Sequence, residues 1–155
     1  MVKRKASVTE DDEHFVLNTK SISKTTKKTL EIHDFISKIE DEDNKMKAII
    51  SPLFKLAGVD FSIDVLPDKE GSGFTGVFLY NCGDEDQMTS SSIKEFSGEE
   101  GDWTMEKIKA KKLWGFSKFM SHEKYRQFAK VHGDVLKLEV VLTLHTKAEG
   151  DGWTR

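Results

Sequence analysis

The chain has 155 residues, 24 basic and 27 acidic side chains, a formal net charge of -3, and only one cysteine, Cys82. That length suits one domain, and ten Phe and three Trp supply the apolar bulk that disordered chains lack. The balanced charge excludes a global drive toward nucleic acid or an anionic membrane, no stretch approaches the roughly eighteen apolar residues of a spanning helix, and a lone cysteine excludes an intrachain disulfide.

Residues 1 to 13 (MVKRKASVTEDDE) are charged and without period, and are expected to form a flexible tail. They hold no apolar run like a secretion signal. With the cysteine usage, this points to a reducing, cytoplasmic compartment. Lys3-Arg4-Lys5 adds a weak nuclear signal. The folded domain is expected over residues 14–146. Phe15 to Ile22 is a weak strand, followed by Thr29–Ile36 and Lys45–Ile50. Phe61, Ile63 and Val65 alternate with Ser62 and Asp64, a period of two that puts one row into a core. Pro67 ends that strand, because proline donates nothing to the ladder. Phe74–Asn81 is apolar on both parities (Val77 and Leu79; Phe78 and Tyr80), the pattern of a central strand or one with a functional second face.

Strands follow at Met88–Phe96 and Thr104–Lys109, with glycines in the intervening turns. The lysine-rich 107–112 stretch is suited to blunting a sheet edge. Phe116, Phe119 and Met120 are expected to form a short turn, with Phe119 buried. One helix is expected next: Ser121 caps it, and Tyr125, Phe128 and Ala129 sit at helical spacing. Val135 to His145 is the clearest strand, with Leu136, Leu138, Val140, Leu142 and Leu144 on one face. Lys147–Arg155 is expected to be a second tail. Seven or eight short strands with turn residues between them predict an all-β antiparallel sandwich with one or two short helical turns.

Four segments carry a family resemblance. Leu30-Glu31-Ile32-His33-Asp34-Phe35 is similar to an opening strand of the form aromatic-x-Ile-x-Asn-Phe. Ser51-Pro52-Leu53-Phe54 through Phe61-Ser62-Ile63 to Leu66-Pro67 is similar to a Ser-Pro-x-Phe…Trp-x-Ile…Tyr-Pro hairpin. Phe74-Thr75-Gly76-Val77-Phe78-Leu79 is similar to the strand after it. Trp114-Gly115-Phe116-Ser117-Lys118-Phe119-Met120 follows a Trp-Gly-Phe-x-Lys-Phe-Ile box almost residue for residue. Together they resemble the MATH family, whose fold is shared with TRAF C-terminal domains. Phe61 stands for the hairpin tryptophan, Leu30 for the opening aromatic, and Leu66 for the tyrosine before Pro67.

The resemblance implies a peptide- or protein-binding module, such as a substrate-recognition adaptor in ubiquitin-linked turnover or signalling, and not an enzyme. It implies a groove with Trp114, Phe116 and Phe74 as its aromatic residues, flanked by Lys112 and Gly115. Two further groove aromatics are unmatched, near Ser90–Ser92 and near Glu106–Ile108. The alternative is a structural or assembly subunit whose groove is idle. Extended-peptide binding of this kind draws affinity from main-chain hydrogen bonds and specificity from side-chain pockets.

Other chemistry is sparse. The stretch from Lys107 to Trp114 sets four lysines beside aromatics, a pattern that suits phosphate contact with ring stacking, an acidic or phosphorylated peptide, or a plain solvated face. Met88-Thr89-Ser90-Ser91-Ser92 is similar to the apolar-polar-serine pattern such grooves bind, which raises self-docking. The five histidines lack metal-ligand spacing, and Asp84-Glu85-Asp86 lacks a calcium-loop pattern. No cofactor or metal is expected. Oligomeric state is open.

Overall fold

The computed structural model describes residues 14–17, 21–95 and 98–147. The expected tail at 1–13, residues 148–155 of the expected C-terminal tail, and Phe96 lie outside the described residues; Lys147, expected in that tail, is instead the last residue of the final strand. Ten strands form two five-stranded antiparallel sheets. They are β1 (His14–Leu17), β2 (Ser21–His33), β3 (Ile49–Ile50), β4 (Phe54–Leu56), β5 (Val59–Leu66), β6 (Phe74–Asn81), β7 (Gln87–Glu95), β8 (Glu100–Ile108), β9 (Leu113–Ser121) and β10 (Val135–Lys147). Two helices, α1 (Phe35–Glu40) and α2 (His122–His132), and a 3₁₀ turn at Lys69–Gly71 complete the elements of the described residues. The first sheet runs β1-β2-β10-β7-β8; the second runs β3-β5-β6-β9, with β4 also on β5.

The alternating rows make the core. Leu136, Leu138, Val140, Leu142 and Leu144 of β10 are buried against Phe61, Ile63 and Val65 of β5 and Val77 and Leu79 of β6. Ser121 caps α2 by accepting a hydrogen bond from Lys124 N at 3.2 Å. Tyr125 and Ala129 are buried, as their spacing requires, and Tyr125 meets Phe35 edge-on with ring centroids 5.3 Å apart.

Four expectations are corrected. Phe35 and Ile36 do not extend the second strand but open α1, because the Asp134 carboxylate accepts from Ile36 N at 3.0 Å and caps that helix from the far end of the chain. Only Ile49–Ile50 of the 45–50 stretch is a strand. The residues before it are turns, held where the Asp41 carboxylate accepts from Asp43 N (3.0 Å) and Asn44 Nδ2 (2.8 Å). Phe116–Met120 is the body of β9 rather than a turn, since Val77 pairs with Phe116 and Thr75 with Met120. The polar Ser21–Lys28 stretch, read as nothing beyond Ile22, is the first half of β2, paired throughout with β10.

Candidate functional site

Each sheet ends on the same flank of the sandwich. β8 is the outer strand of the first sheet and β9 of the second. The Lys109–Lys112 turn joins them, so the two outer strands border one opening. Asn81 holds that turn: its side-chain Nδ2 donates to Ile108 O at 3.0 Å and to Glu85 O at 2.9 Å, and its backbone carbonyl accepts from Lys111 N at 2.8 Å.

Directly opposed residues of an antiparallel pair share a face. Trp114 opposes Leu79, and Phe116 opposes Val77, both core residues. The indole and phenyl rings therefore point toward the interlayer side, at its open margin. There they meet Trp103 of β8, with centroids 6.4 Å from Trp114 in an edge-on contact and 5.9 Å from Phe116. Trp103 is buried and donates Nε1–H to Thr89 Oγ1 at 2.9 Å, so it is a fixed backing for the other two rings. Phe116 packs on Gly101, where a Cβ would lie 2.7 Å from the ring, and its other side meets Phe119 at 6.1 Å. Phe119 is buried, as expected. Trp114 keeps 39% of its surface exposed; Leu113, next to it in sequence, keeps 43%, and Met105, two residues after Trp103 on β8, keeps 53%. Met105 stands at a bulge in β8 with φ 55°, its amide bonded to Ser90 Oγ at 3.1 Å.

Among the described residues, β9 pairs only with β6 and β8 only with β7. Each presents its other backbone edge beside the exposed indole. A backbone edge with an aromatic platform is able to take up an extended chain.

The other expected site residues are dispersed. Gly115 opposes Phe78, on the face turned away from Trp114. It is required for close strand approach, since a Cβ there would lie 2.3 Å from the Val77 carbonyl oxygen. Phe74 is half-buried at the far end of β6, opposite Ser121, with Lys118 Nζ 5.5 Å from its ring centroid. It is not brought next to Trp114 and Phe116. Lys112 is exposed in the β8–β9 turn, with Lys109 and Lys111 exposed beside it. Lys111 Nζ donates to Cys82 O at 2.5 Å and pairs with Asp84 at 3.6 Å. Trp103 was not read from sequence as part of the site. Its signal was a third tryptophan two residues beyond Gly101, just ahead of the expected start of that strand.

Ser90–Ser92 lies within β7, hydrogen-bonded between β10 and β8, so it is not a strand available for self-docking. Ser90 Oγ bonds His145 Nε2 at 2.9 Å instead. Burial pushes the Cys82 thiol up from its ordinary range, toward the less nucleophilic protonated form. Among the described residues no group of His, Cys, Asp and Glu is arranged to hold a metal, and no helix is long and apolar enough to cross a membrane. Compared with known proteins, the chain matches no protein-family model and is significantly similar to no curated protein.

Proposed function

We propose that this chain is a protein-interaction module that binds an extended peptide along the β9 edge, with an apolar side chain of the ligand resting on Trp114. The observation that carries this reading is the open backbone edge of β9 beside an indole that is 39% exposed and backed by buried Trp103. Main-chain pairing supplies affinity without regard to sequence, and the aromatic platform supplies preference. The Trp-Gly-Phe-x-Lys-Phe box is the strongest part of the resemblance to the MATH family and lies on this edge strand. An adaptor role in ubiquitin-linked turnover or signalling follows from that resemblance alone.

A second reading has its own support. Trp103 already fills the space between β8 and β9, and Phe116 is pressed against Gly101. A groove so filled suits a structural or assembly subunit in which the aromatic cluster only closes the flank.

A peptide array probed with the wild-type chain and Trp114→Ala separates the two. The binding reading expects discrete sequences that the variant holds at least tenfold more weakly, about 1.4 kcal/mol. An array with no selected sequence, or binding indifferent to the substitution, rejects it. An assembly subunit would instead elute from native extract in a large complex whose size Trp114→Ala leaves unchanged.

A further inference from the structure

The outer faces of the two sheets differ in chemistry. On the first sheet, Thr25, Thr143 and Ser90 line up across β2, β10 and β7, a polar row with Thr25 Oγ1 and Thr143 Oγ1 2.8 Å apart. On the second sheet, the register places Ile50, Phe78 and Tyr80 on the outward face, with Leu113 beyond them. Ile50 is 61% exposed, and both rings are half-buried. This is the second apolar parity of the Phe74–Asn81 strand.

A carboxylate is set among these apolar groups. Asp64 opposes both Ile50 and Phe78, and only 8% of its surface is exposed. Its hydrogen-bond donor is Ser62 Oγ at 3.0 Å, and Ser62 is itself 2% exposed. Asp60, the other outward acid of β5, is neutralised by Lys55 Nζ at 2.9 Å from β4. Where Asp60 has Lys55 opposite it on the neighbouring strand, Asp64 has the apolar Ile50. Among the described residues no cation forms an ion pair with Asp64. Burial accordingly raises the pKa of its carboxyl group. A largely desolvated anion without a cation is costly to keep, and it attracts a cation far more strongly than a solvated carboxylate does. Flanking aromatic faces add to that attraction.

We propose that the outer face of the second sheet receives a basic side chain from an extended segment of a partner protein, with its cationic head on Asp64 and its stem along Phe78 and Tyr80. The weakly hydrated, planar guanidinium of arginine fits this setting better than ammonium. The site is on the opposite face of the second sheet from Trp114 and does not depend on the edge reading.

The test is an amide NMR titration of the full chain with N-acetyl-arginine amide, and in parallel with its neutral isostere N-acetyl-citrulline amide. The arginine probe is expected to shift the amides of Ser62, Asp64, Phe78 and Tyr80 and to bind at least fivefold more tightly than the citrulline probe. Asp64→Asn is expected to abolish that preference, and Ser62→Ala, which keeps the carboxylate, to retain it. Equal affinity for the two probes in the wild type overturns the proposal, as does the absence of shifts on this face. Shifts of the same amides that grow with protein concentration alone, and that arginine does not reverse, also overturn it, because they assign the face to a second copy of this chain.

Discussion

At Gly115 the residue scale decides strand geometry. The atoms a side chain would meet are backbone, the Val77 oxygen at 2.3 Å and Phe78 Cα at 2.7 Å. Gly115→Ala must therefore prise β9 from β6, and urea denaturation is expected to register a loss of about 1–3 kcal/mol. At Gly101 the obstacle is the Phe116 ring, 2.7 Å away, which can swing aside. Gly101→Ala is thus expected to cost clearly less than Gly115→Ala, while leaving Phe116 more exposed. Equal costs would show that β6 and β9 do not approach as described.

His122 carries a pH dependence. Its ring is 6% exposed and donates Nε2–H to Pro67 O at 2.6 Å. Burial outweighs that bond and the nearby Asp68 and holds its pKa below the ordinary value of 6.5. Burial lowers His145 as well. A lowered folded-state pKa means that the unfolded chain binds protons first. Stability is therefore full above about pH 6.5 and declines as pH falls from there toward the folded-state values. Urea midpoints are expected to drop between pH 7.5 and 5.5, and His122→Gln to flatten that drop. A slope unchanged by the substitution would place the titration elsewhere.

At the scale of elements, α1 shows why local sequence was insufficient. Its N-cap residue Asp34 is left-handed, with φ 57°, and makes no side-chain cap. Asp134 supplies the cap instead, through Ile36 N, and also accepts from Tyr125 Oη at 2.8 Å. One carboxylate so ties α1, α2 and the start of β10, across a sequence distance no window spans. Asp134→Ala is expected to cost about 1–3 kcal/mol, because it leaves the buried Tyr125 hydroxyl without an acceptor. Ser121→Ala removes only a local cap and is expected to cost about 1 kcal/mol. Guanidinium titrations of both variants check the order.

The helix α2 was legible because its cap and its buried face lie within one window. β10 was legible because five inward apolar residues alternate without a turn. The first half of β2 was not, since Ser, Lys and Thr carry no apolar alternation and its pairing is set by β10. β9 was misread around Phe116 because four of its residues span only two of β6, between Val77 and Thr75, which breaks the period where the box is densest.

At the scale of the whole molecule, the sandwich class followed from alternation and turn spacing, whereas the strand order did not. That β8 and β9 end their sheets on the same flank is a matter of topology. It turns three separate sequence features, Trp103, the lysine turn and the Trp-Gly-Phe box, into one site. It also separates Phe74, which linear resemblance grouped with Trp114, from that site. The exposed lysines at 107, 109, 111 and 112 border the opening, so peptides with acidic flanks are expected to bind the edge more tightly at low salt than at high salt. Neutral peptides should show no such slope. An equal response of both to salt would remove the lysines from the site.

The β9 edge as a place for an added strand is tested most directly by amide hydrogen exchange of the chain with and without an array-selected peptide. New protection is expected at outward-facing amides between Leu113 and Phe119, with the β1 side of the first sheet unchanged. Protection elsewhere, with the β9 amides exchanging as fast as in the free chain, would contradict it.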